Sequence, residues 1–190
     1  GFERMTPESR AMARSPQLLM LTKANSRSRV HRDAYLDYVG VKTFDAEGNV
    51  TGERRFLGLH TARTYAAPTW TGPVVAERVA KVVRRAGHSP DSHSGRDLLN
   101  VLENYPRDEL FQTSSARLYD IATEVVRLQE RRHVGVFTRN DDYGRFVAVM
   151  VYLPRDRYNT RVREAIAEFL RETYGAQNVD YTARVSSEAL

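Results

Sequence analysis

The chain has 190 residues, 41% hydrophobic and 28% charged, a composition typical of a globular protein with one large domain or two small ones. It has no cysteine, which excludes disulfides, thiolate metal sites and cysteine nucleophiles, and which fits a reducing cytoplasm. The net charge of +5 comes from arginines scattered among acids, and no apolar run approaches the ~20 residues of a membrane span. We therefore expect a cytoplasmic protein that binds neither nucleic acid nor membrane.

A short leader helix precedes a β-rich segment at residues 17–72. In the leader, residues 1–16, Thr6 is a good N-cap for a helix whose first turn contains Pro7. The β-rich segment holds three runs with the β-branched and aromatic side chains typical of strands, at residues 17–22, 34–44 and 51–61. The last two runs are joined by a short loop that contains glycine, which predicts an antiparallel hairpin.

Residues 73–132 predict a helical connector of three helices. The first helix ends at Gly87, the second is capped by Ser94, and Ser114 or Ser115 begins the third. Each of the three repeats apolar side chains at helical spacing, so each is expected to bury one face.

The last part of the chain, residues 133–190, predicts a β-β-α-β module. Its elements are strands at residues 133–139 and 145–153, a helix that begins at Asn159 or Thr160, and a strand at residues 179–185. The second strand is almost continuously apolar, as expected of a central strand, and the last alternates apolar and polar residues strictly. The chain ends soon afterwards, which suggests a larger protein. The predicted fold class is α+β: an antiparallel β hairpin module, a helical connector and a β-β-α-β module.

Signatures of catalysis are absent from the sequence. It has no G-x-G-x-x-G dinucleotide fingerprint, no P-loop and no G-x-S-x-G elbow. His88 and His93 flank Asp91, but we interpret this spacing as a solvated loop rather than a metal site. Ser92 and Ser94 beside His93 are more simply helix-capping residues than a nucleophilic site. We expect no catalytic, cofactor-binding or metal-ligating residue in this chain.

Two polar stretches are candidate contact sites. Residues 23–32 carry five basic or histidine side chains between two apolar runs, and form either an anion or interface site or a solvated hairpin connection. Residues 155–160 are either ordinary strand–loop–helix residues, a carboxylate site at a helix N-terminus, or a subunit interface. The candidate interface or anion contacts are Lys23, Asn25, Arg27, Arg29, His31, Arg32, Arg155, Arg157, Tyr158 and Asn159.

Six stretches, in the same order, resemble the large NAD-dependent glutamate dehydrogenases of bacteria. They are residues 21–32 (LTKANSRSRVHR), 35–42 (YLDYVGVK), 52–61 (GERRFLGLHT), 103–112 (ENYPRDELFQ), 128–131 (LQER) and 151–164 (VYLPRDRYNTRVRE). No single stretch is diagnostic, but six in order over residues 17–175 make a specific match. His60 departs from the pattern, since it stands where an aromatic residue is expected.

The resemblance implies a place in the N-terminal regulatory half of a much longer enzyme, whose catalytic core lies downstream. That half is a string of PAS-like and ACT-like modules joined by helices. Residues 17–72 resemble the closing strands of a PAS-like module, and residues 133–190 resemble part of an ACT-like module. A complete ACT module is βαββαβ, so residues 133–190 are incomplete, atypical or borrow the preceding helix.

The function implied by the resemblance is a non-catalytic regulatory or assembly segment. The parent enzyme would convert L-glutamate to 2-oxoglutarate and ammonia with NAD, and this fragment would hold no cofactor. Its partners would be other modules and subunits of a homo-oligomer, with an amino acid as effector. The alternative is a stand-alone ACT-like sensor domain that binds an amino acid. A nucleic-acid-binding domain is disfavoured, because no basic stripe is interleaved with aromatic residues.

Overall fold

The structure is a computed structural model that describes residues 5–30 and 32–184. Helices and strands alternate in blocks, so the predicted α+β class is confirmed. In chain order the elements are α1 (Pro7–Arg14), β1 (Leu19–Ser28), β2 (Ala34–Phe44), β3 (Val50–Gly58), α2 (Ala62–Ala66), α3 (Pro73–Ala86), α4 (His93–Asn104), α5 (Arg107–Gln112), α6 (Ser115–Arg131), β4 (Gly135–Asn140), β5 (Val147–Tyr152) and α7 (Thr160–Tyr174). None of the helices in the described part of the chain combines the length and the apolar character that a bilayer span requires.

The first sheet is antiparallel, with strand order β1-β2-β3. The predicted hairpin between β2 and β3 is confirmed. Asp45 organises its turn, because its Oδ1 accepts hydrogen bonds from the backbone N–H groups of Glu47 and Asn49, at 3.1 and 2.7 Å. Gly48 has a φ of 86°, a left-handed conformation that favours glycine.

The boundaries of β1 and β3 differ from the prediction. β1 continues through the polar stretch to Ser28, because its backbone pairs with β2 across a register shift between Lys23 and Arg27. The interpretation of residues 23–32 as a simple hairpin connection is therefore wrong for their first six residues. β3 ends at Gly58, short of the predicted end, because Thr61 caps the short helix α2.

A buried ion pair holds α1 against the first sheet. The ammonium of Lys42, on β2, lies 2.8 Å from Oε2 of Glu53, on β3, and donates a 3.0 Å hydrogen bond to the carbonyl of Ala13. Tyr38 donates a hydrogen bond to the same Glu53 carboxylate. The leader helix begins after Thr6, as predicted, and is fixed to the sheet through this cation.

The helical connector contains the main hydrophobic core. Its buried residues come from the apolar faces that the spacing predicts on α3, α4 and α6, together with Leu110 of α5. They are Val75, Val79, Val82, Leu98, Val101, Leu102, Tyr105, Leu110, Leu118, Ile121, Ala122 and Val125. This interlocking of three helix faces is the base on which the flanking segments pack.

Two features of the connector depart from the prediction. Ser92, not Ser94, caps α4, because its Oγ accepts a 3.0 Å hydrogen bond from the backbone N–H of Gly95. The interpretation of the Ser-His-Ser stretch as helix capping is nevertheless confirmed. The short helix α5, which begins after Pro106, was not predicted, since six residues show too little periodicity.

The second sheet has only the antiparallel strands β4 and β5 among the described residues. The prediction that the apolar strand at residues 145–153 is central is therefore wrong. The side chains of Phe137, Met150 and Tyr152 pack against the helical core, which explains why this strand is so apolar. Burial raises the pKa of Tyr152 to about 12.

The end of the predicted β-β-α-β module also differs. Residues 179–184 form no strand, and Val185 lies outside the described residues. An alternating sequence becomes a strand only when a sheet edge pairs with it, and no described edge does so here. Helix α7 begins after Asn159 and ends at Gly175, as predicted, but it buries none of its residues, and Phe169 is 66% exposed. A two-stranded ribbon offers too narrow a face to cover this helix.

Candidate interface site where three segments meet

Lys23 lies in β1 between two carboxylates. Its ammonium is 2.5 Å from Oδ1 of Asp37, on β2, and 3.0 Å from Oδ1 of Asp108, on α5. Burial lowers the pKa of Lys23, but the charges and hydrogen bonds of Asp108 and Asp37 outweigh it, so the pKa is raised. Lys23 is thus a fixed cation that ties the first sheet to the helical connector.

The two carboxylates around Lys23 bring further elements together. Oδ2 of Asp37 accepts a 2.6 Å hydrogen bond from the backbone N–H of His60, and Asp108 accepts a 2.8 Å bond from the hydroxyl of Tyr65. The His60 ring stacks on Phe111, with 4.7 Å between ring centroids, and meets Tyr65 edge-on. The His60 ring therefore packs against other rings, as the aromatic residue expected at this position from the resemblance would.

A second group of polar residues links β1 to the turn between β4 and β5. Asp141 is 4% exposed and accepts hydrogen bonds from the Thr22 hydroxyl, at 2.8 Å, and from Nε of Arg145, at 2.7 Å. Nη2 of Arg145 also donates to Thr22, at 3.0 Å, which closes a triangle. Burial raises the pKa of Asp141, but the bonds from Arg145 and Thr22 outweigh this effect and lower it below its usual value.

The triangle continues into the helical connector. Arg139, on β4, pairs with Glu109, on α5, through two hydrogen bonds of 2.7 and 2.8 Å. Arg139 also donates to Oε1 of Gln112, at 3.1 Å, and this oxygen lies 3.2 Å from the Thr22 hydroxyl. Burial lowers the pKa of Arg139, but Glu109 outweighs burial and raises it. We call the connected set Thr22, Glu109, Gln112, Arg139, Asp141 and Arg145 the polar junction.

Sequence reasoning missed the whole polar junction. Its members come from β1, α5 and the β4–β5 hairpin, so they share no local motif. No local signal marked its members, since Glu109 follows Asp108 and Arg139 precedes Asn140 in ordinary polar surroundings.

Of the predicted contacts in residues 23–32, Arg27 has the most partners. Its guanidinium bonds to Asp33, at 2.8 Å, and to Asp180, beyond α7, at 2.9 Å, and it covers the ring of Tyr35. Hydrogen bonds to Asp33 and Asp180 raise the pKa of Arg27, and the bond from Arg27 lowers that of Asp33. Arg27 thus links the first sheet to the last segment at the surface.

Three other predicted contact residues of this stretch, Asn25, Arg29 and Arg32, have fewer partners than Arg27. Arg32 donates a 3.2 Å hydrogen bond to the carbonyl of His60 and lies over the ring of Tyr65. Asn25 and Arg29 are exposed. The predicted contact at position 31, a histidine, lies outside the described residues.

The second predicted stretch lies apart from the first. Arg155 and Arg157 are exposed in a 3-10 helix that precedes α7, and Tyr158 is 38% exposed. Asn159 caps α7, since its Oδ1 accepts a 3.0 Å hydrogen bond from the backbone N–H of Val162. No hydrogen bond or ion pair between described residues joins this stretch to residues 23–32. Over the described ranges, no three His, Asp or Glu side chains come together as ligands for a metal ion.

Comparison with known proteins finds family matches for two of the segments. A family model described as glutamate dehydrogenase, helical motif 1, matches residues 73–131, and one described as glutamate dehydrogenase, ACT2 domain, matches residues 135–190. NAD-specific glutamate dehydrogenase from Pseudomonas aeruginosa is 42% identical over 180 residues. The chain is thus similar to one segment of the NAD-specific glutamate dehydrogenases. The resemblance predicted from six short stretches is thereby confirmed.

The chain corresponds to a small part of its glutamate dehydrogenase relatives. The alignment with the Pseudomonas aeruginosa protein covers 95% of the chain and 11% of the relative. The relatives of the same name from Halomonas elongata and Mycobacterium tuberculosis are 38% and 36% identical, over 92% and 90% of the chain. These alignments span 11% and 10% of the relatives' length.

Proposed function

We propose that the chain is a non-catalytic regulatory or assembly segment of an NAD-dependent glutamate dehydrogenase, here called the parent enzyme. The observation that carries this proposal is the pair of family matches, a helical motif and an ACT2 domain, on a chain that spans about a tenth of its relatives. The parent enzyme would deaminate L-glutamate to 2-oxoglutarate and ammonia with NAD. NAD would bind outside this chain. The parent enzyme would be cytoplasmic and homo-oligomeric.

The organisation of the chain in this proposal follows the sequence. Residues 1–16 form the leader, and residues 17–72 supply the closing strands of a PAS-like module. Residues 73–132 form the helical connector between this module and the ACT-like module at residues 133–190. The helical core buries its own apolar faces and carries the β4–β5 hairpin on one side, which suits a connector that spaces two modules. An amino-acid effector would act through the ACT-like part.

The contacts between segments support an assembly role. Lys23, the polar junction and Arg27 join the first sheet to the connector, the hairpin and the last segment. Buried polar networks whose members are all satisfied favour one arrangement of packed elements over others. The predicted interface residues Asn25, Arg29, Arg155 and Arg157 are exposed and would contact other modules or subunits.

Two assays test the proposal. The isolated chain should give no glutamate-dependent reduction of NAD, even at high protein concentration, and turnover above background would overturn the assignment. In the parent enzyme, Arg139→Leu should change the oligomeric state, or the kinetic constants for glutamate, although it lies outside the catalytic core. An exposed arginine of the connector, replaced in Arg84→Leu, is the matched control.

The ACT2 match favours a second candidate, a stand-alone sensor that binds an amino acid. The length of the natural reading frame separates the two, because a frame many hundreds of residues longer excludes the stand-alone sensor. Calorimetry of the 190-residue chain with each amino acid gives a second discriminating measurement. Binding in a frame no longer than this chain would support the sensor.

A further inference from the structure

One face of the short helix α5 is bound to the first sheet. Asp108 and Phe111 are three positions apart, so they lie on the same side of the helix. Asp108 is 3.0 Å from the ammonium of Lys23, on β1, and Phe111 stacks on the ring of His60, which follows β3. We call this side of the helix the sheet face of α5.

A second face of α5 is bound to the β4–β5 hairpin. Glu109 and Gln112, also three positions apart, both accept hydrogen bonds from Arg139, at distances of 2.7 to 3.1 Å. We call this side the hairpin face of α5. Leu110 is fully buried in the helical core, and its carbonyl accepts a 2.9 Å hydrogen bond from Arg78. Three consecutive residues, 108–110, therefore contact three different parts of the chain.

α5 has little stability of its own. It has only six residues, and its N-cap, Pro106, forms no side-chain capping bond. Isolated helices shorter than about 12–15 residues are marginal in water, because few hydrogen bonds offset the cost of the first turn. Asp108 and Glu109 lie in the first turn, where negative charge stabilises a helix only modestly. The contacts with the sheet, the core and the hairpin therefore keep this segment helical.

We propose that α5 is a joint that couples the first sheet to the β4–β5 hairpin. Glu109 directly follows Asp108, so a change in the helical turn that moves one carboxylate also moves the other. When the contacts on one face of α5 are lost, the turn loosens and the contacts on the other face weaken. Such coupling is reciprocal, since each face stabilises the same helical turn. Its use as a regulatory device, which passes movements of the ACT-like module to the first sheet, rests on the proposed function.

A direct contact between the first sheet and the hairpin offers another route for coupling. The hydroxyl of Thr22, on β1, donates to Asp141 in the turn of the hairpin, and Nη2 of Arg145 donates to the same hydroxyl. These bonds bypass the backbone of α5. A variant that removes the Thr22 hydroxyl therefore separates coupling through α5 from coupling through this contact.

The test follows backbone hydrogen exchange by mass spectrometry in the full 190-residue chain, peptide by peptide, under conditions where each variant is folded. Lys23→Met, which acts on the sheet face, should speed exchange in β4 and β5 at least tenfold. Arg139→Leu, which acts on the hairpin face, should speed exchange in β1 and β2 at least tenfold. Exchange in α5 should rise in both variants, because local opening of the joint exposes its amides. Glu109→Gln weakens the same pair with a smaller change of shape and replaces Arg139→Leu if that variant does not fold.

Two control variants show whether the effect is specific to α5. Arg27→Met breaks the surface link between the first sheet and Asp180 without touching α5, and should change exchange in α5 and the hairpin less than twofold. Leu98→Ala weakens the buried core on α4 and should speed exchange throughout the helical connector, without preference for α5 and the strands that contact it.

The Thr22→Val background identifies the route. In this background Lys23→Met should still speed exchange in β4 and β5 at least tenfold relative to Thr22→Val alone. Loss of the effect would mean that coupling passes through Thr22 and Asp141, and would overturn the joint. Unchanged exchange in the hairpin of Lys23→Met, or a uniform rise like that of Leu98→Ala, would also overturn it.

These outcomes are separate from the test of the proposed function. That function is judged by the lack of glutamate-dependent NAD reduction in the isolated chain and by the assembly and kinetics of the parent enzyme. Turnover by the isolated chain would overturn the proposed function and leave the measured coupling unaffected. A chain without turnover whose two faces of α5 exchange independently would overturn only the joint.

Discussion

Thr22 and Asp141 lie 119 positions apart, yet the hydroxyl of Thr22 donates a 2.8 Å hydrogen bond to the buried carboxylate of Asp141. The first belongs to the sheet at the start of the chain, and the second to the turn of the ACT-like hairpin. The contact is made beside α5, where Oε1 of Gln112 lies 3.2 Å from the same hydroxyl. One small side chain therefore takes part in the packing of three segments.

We expect Thr22→Val to destabilise the 190-residue chain by about 1–3 kcal/mol, because it removes a donor from a buried carboxylate. Urea unfolding followed by circular dichroism measures the change. Thr51→Val is the matched control. The hydroxyl of Thr51 also forms a side-chain hydrogen bond, with Thr43 at 3.1 Å, but this bond lies at the surface. The control should change the free energy of unfolding by less than about 0.5 kcal/mol. Equal effects in the two variants would contradict the role given to Thr22.

The lowered pKa of Asp141 predicts a dependence of stability on pH. Asp141 contributes stability above its unfolded pKa of about 3.9 and loses it as pH falls through the lower, folded pKa. The stability lost on Asp141→Asn should therefore be largest near neutral pH and should shrink below about pH 4. Unfolding titrations from pH 3 to 7 measure it. A constant difference across this range would show that the charge of Asp141 is not what matters.

Breaking the buried pair of Arg139 and Glu109 should cost more than removing an exposed pair. Arg139→Leu leaves the Glu109 carboxylate without its two hydrogen bonds, and such losses cost about 3–5 kcal/mol. Replacing both residues by Leu should recover part of this loss, because no unpaired charge then remains. Arg127→Leu, which breaks an exposed pair with Glu124, should cost about 0–1 kcal/mol. A double variant less stable than Arg139→Leu alone would argue against this account.

Arg27 and Arg29 are expected to serve contacts outside the isolated chain. Arg27 bonds to Asp33 and Asp180 at the surface, where solvent weakens ion pairs, so Arg27→Ala/Arg29→Ala should scarcely move the melting temperature of the chain. The same substitutions in the parent enzyme should alter its assembly or its kinetics. A fragment that unfolds, together with a parent enzyme of normal assembly and kinetics, would mean that these arginines belong to the fold.

Local signals in the sequence predicted most helix ends and buried helix faces. Thr6, Ser114 and Asn159 cap their helices, and Val75 and Val79 lie on a buried face, because capping and periodicity depend on residues within one or two turns. The β2–β3 hairpin followed from its turn in the same way.

The predictions that failed concerned elements whose structure depends on partners distant in sequence. Alternating residues around Tyr181 needed a neighbouring strand, and the apolar face of α7 needed a wider sheet than two strands provide. For the site, composition identified Lys23 and Arg27 as candidates but gave no partners for them. Thr22 carried no signal at all, since a threonine in a strand is ordinary.

The register shift in β1 also affects how readily this edge strand could pair with a strand of another molecule. A long, regular strand with a free edge is a template for pairing with the same strand of another molecule. Between Lys23 and Arg27 the ladder with β2 is interrupted, and such interruptions bend a strand and increase its twist. The polar half of β1 is therefore both charged and irregular, which makes it a poor template for the growth of intermolecular sheets.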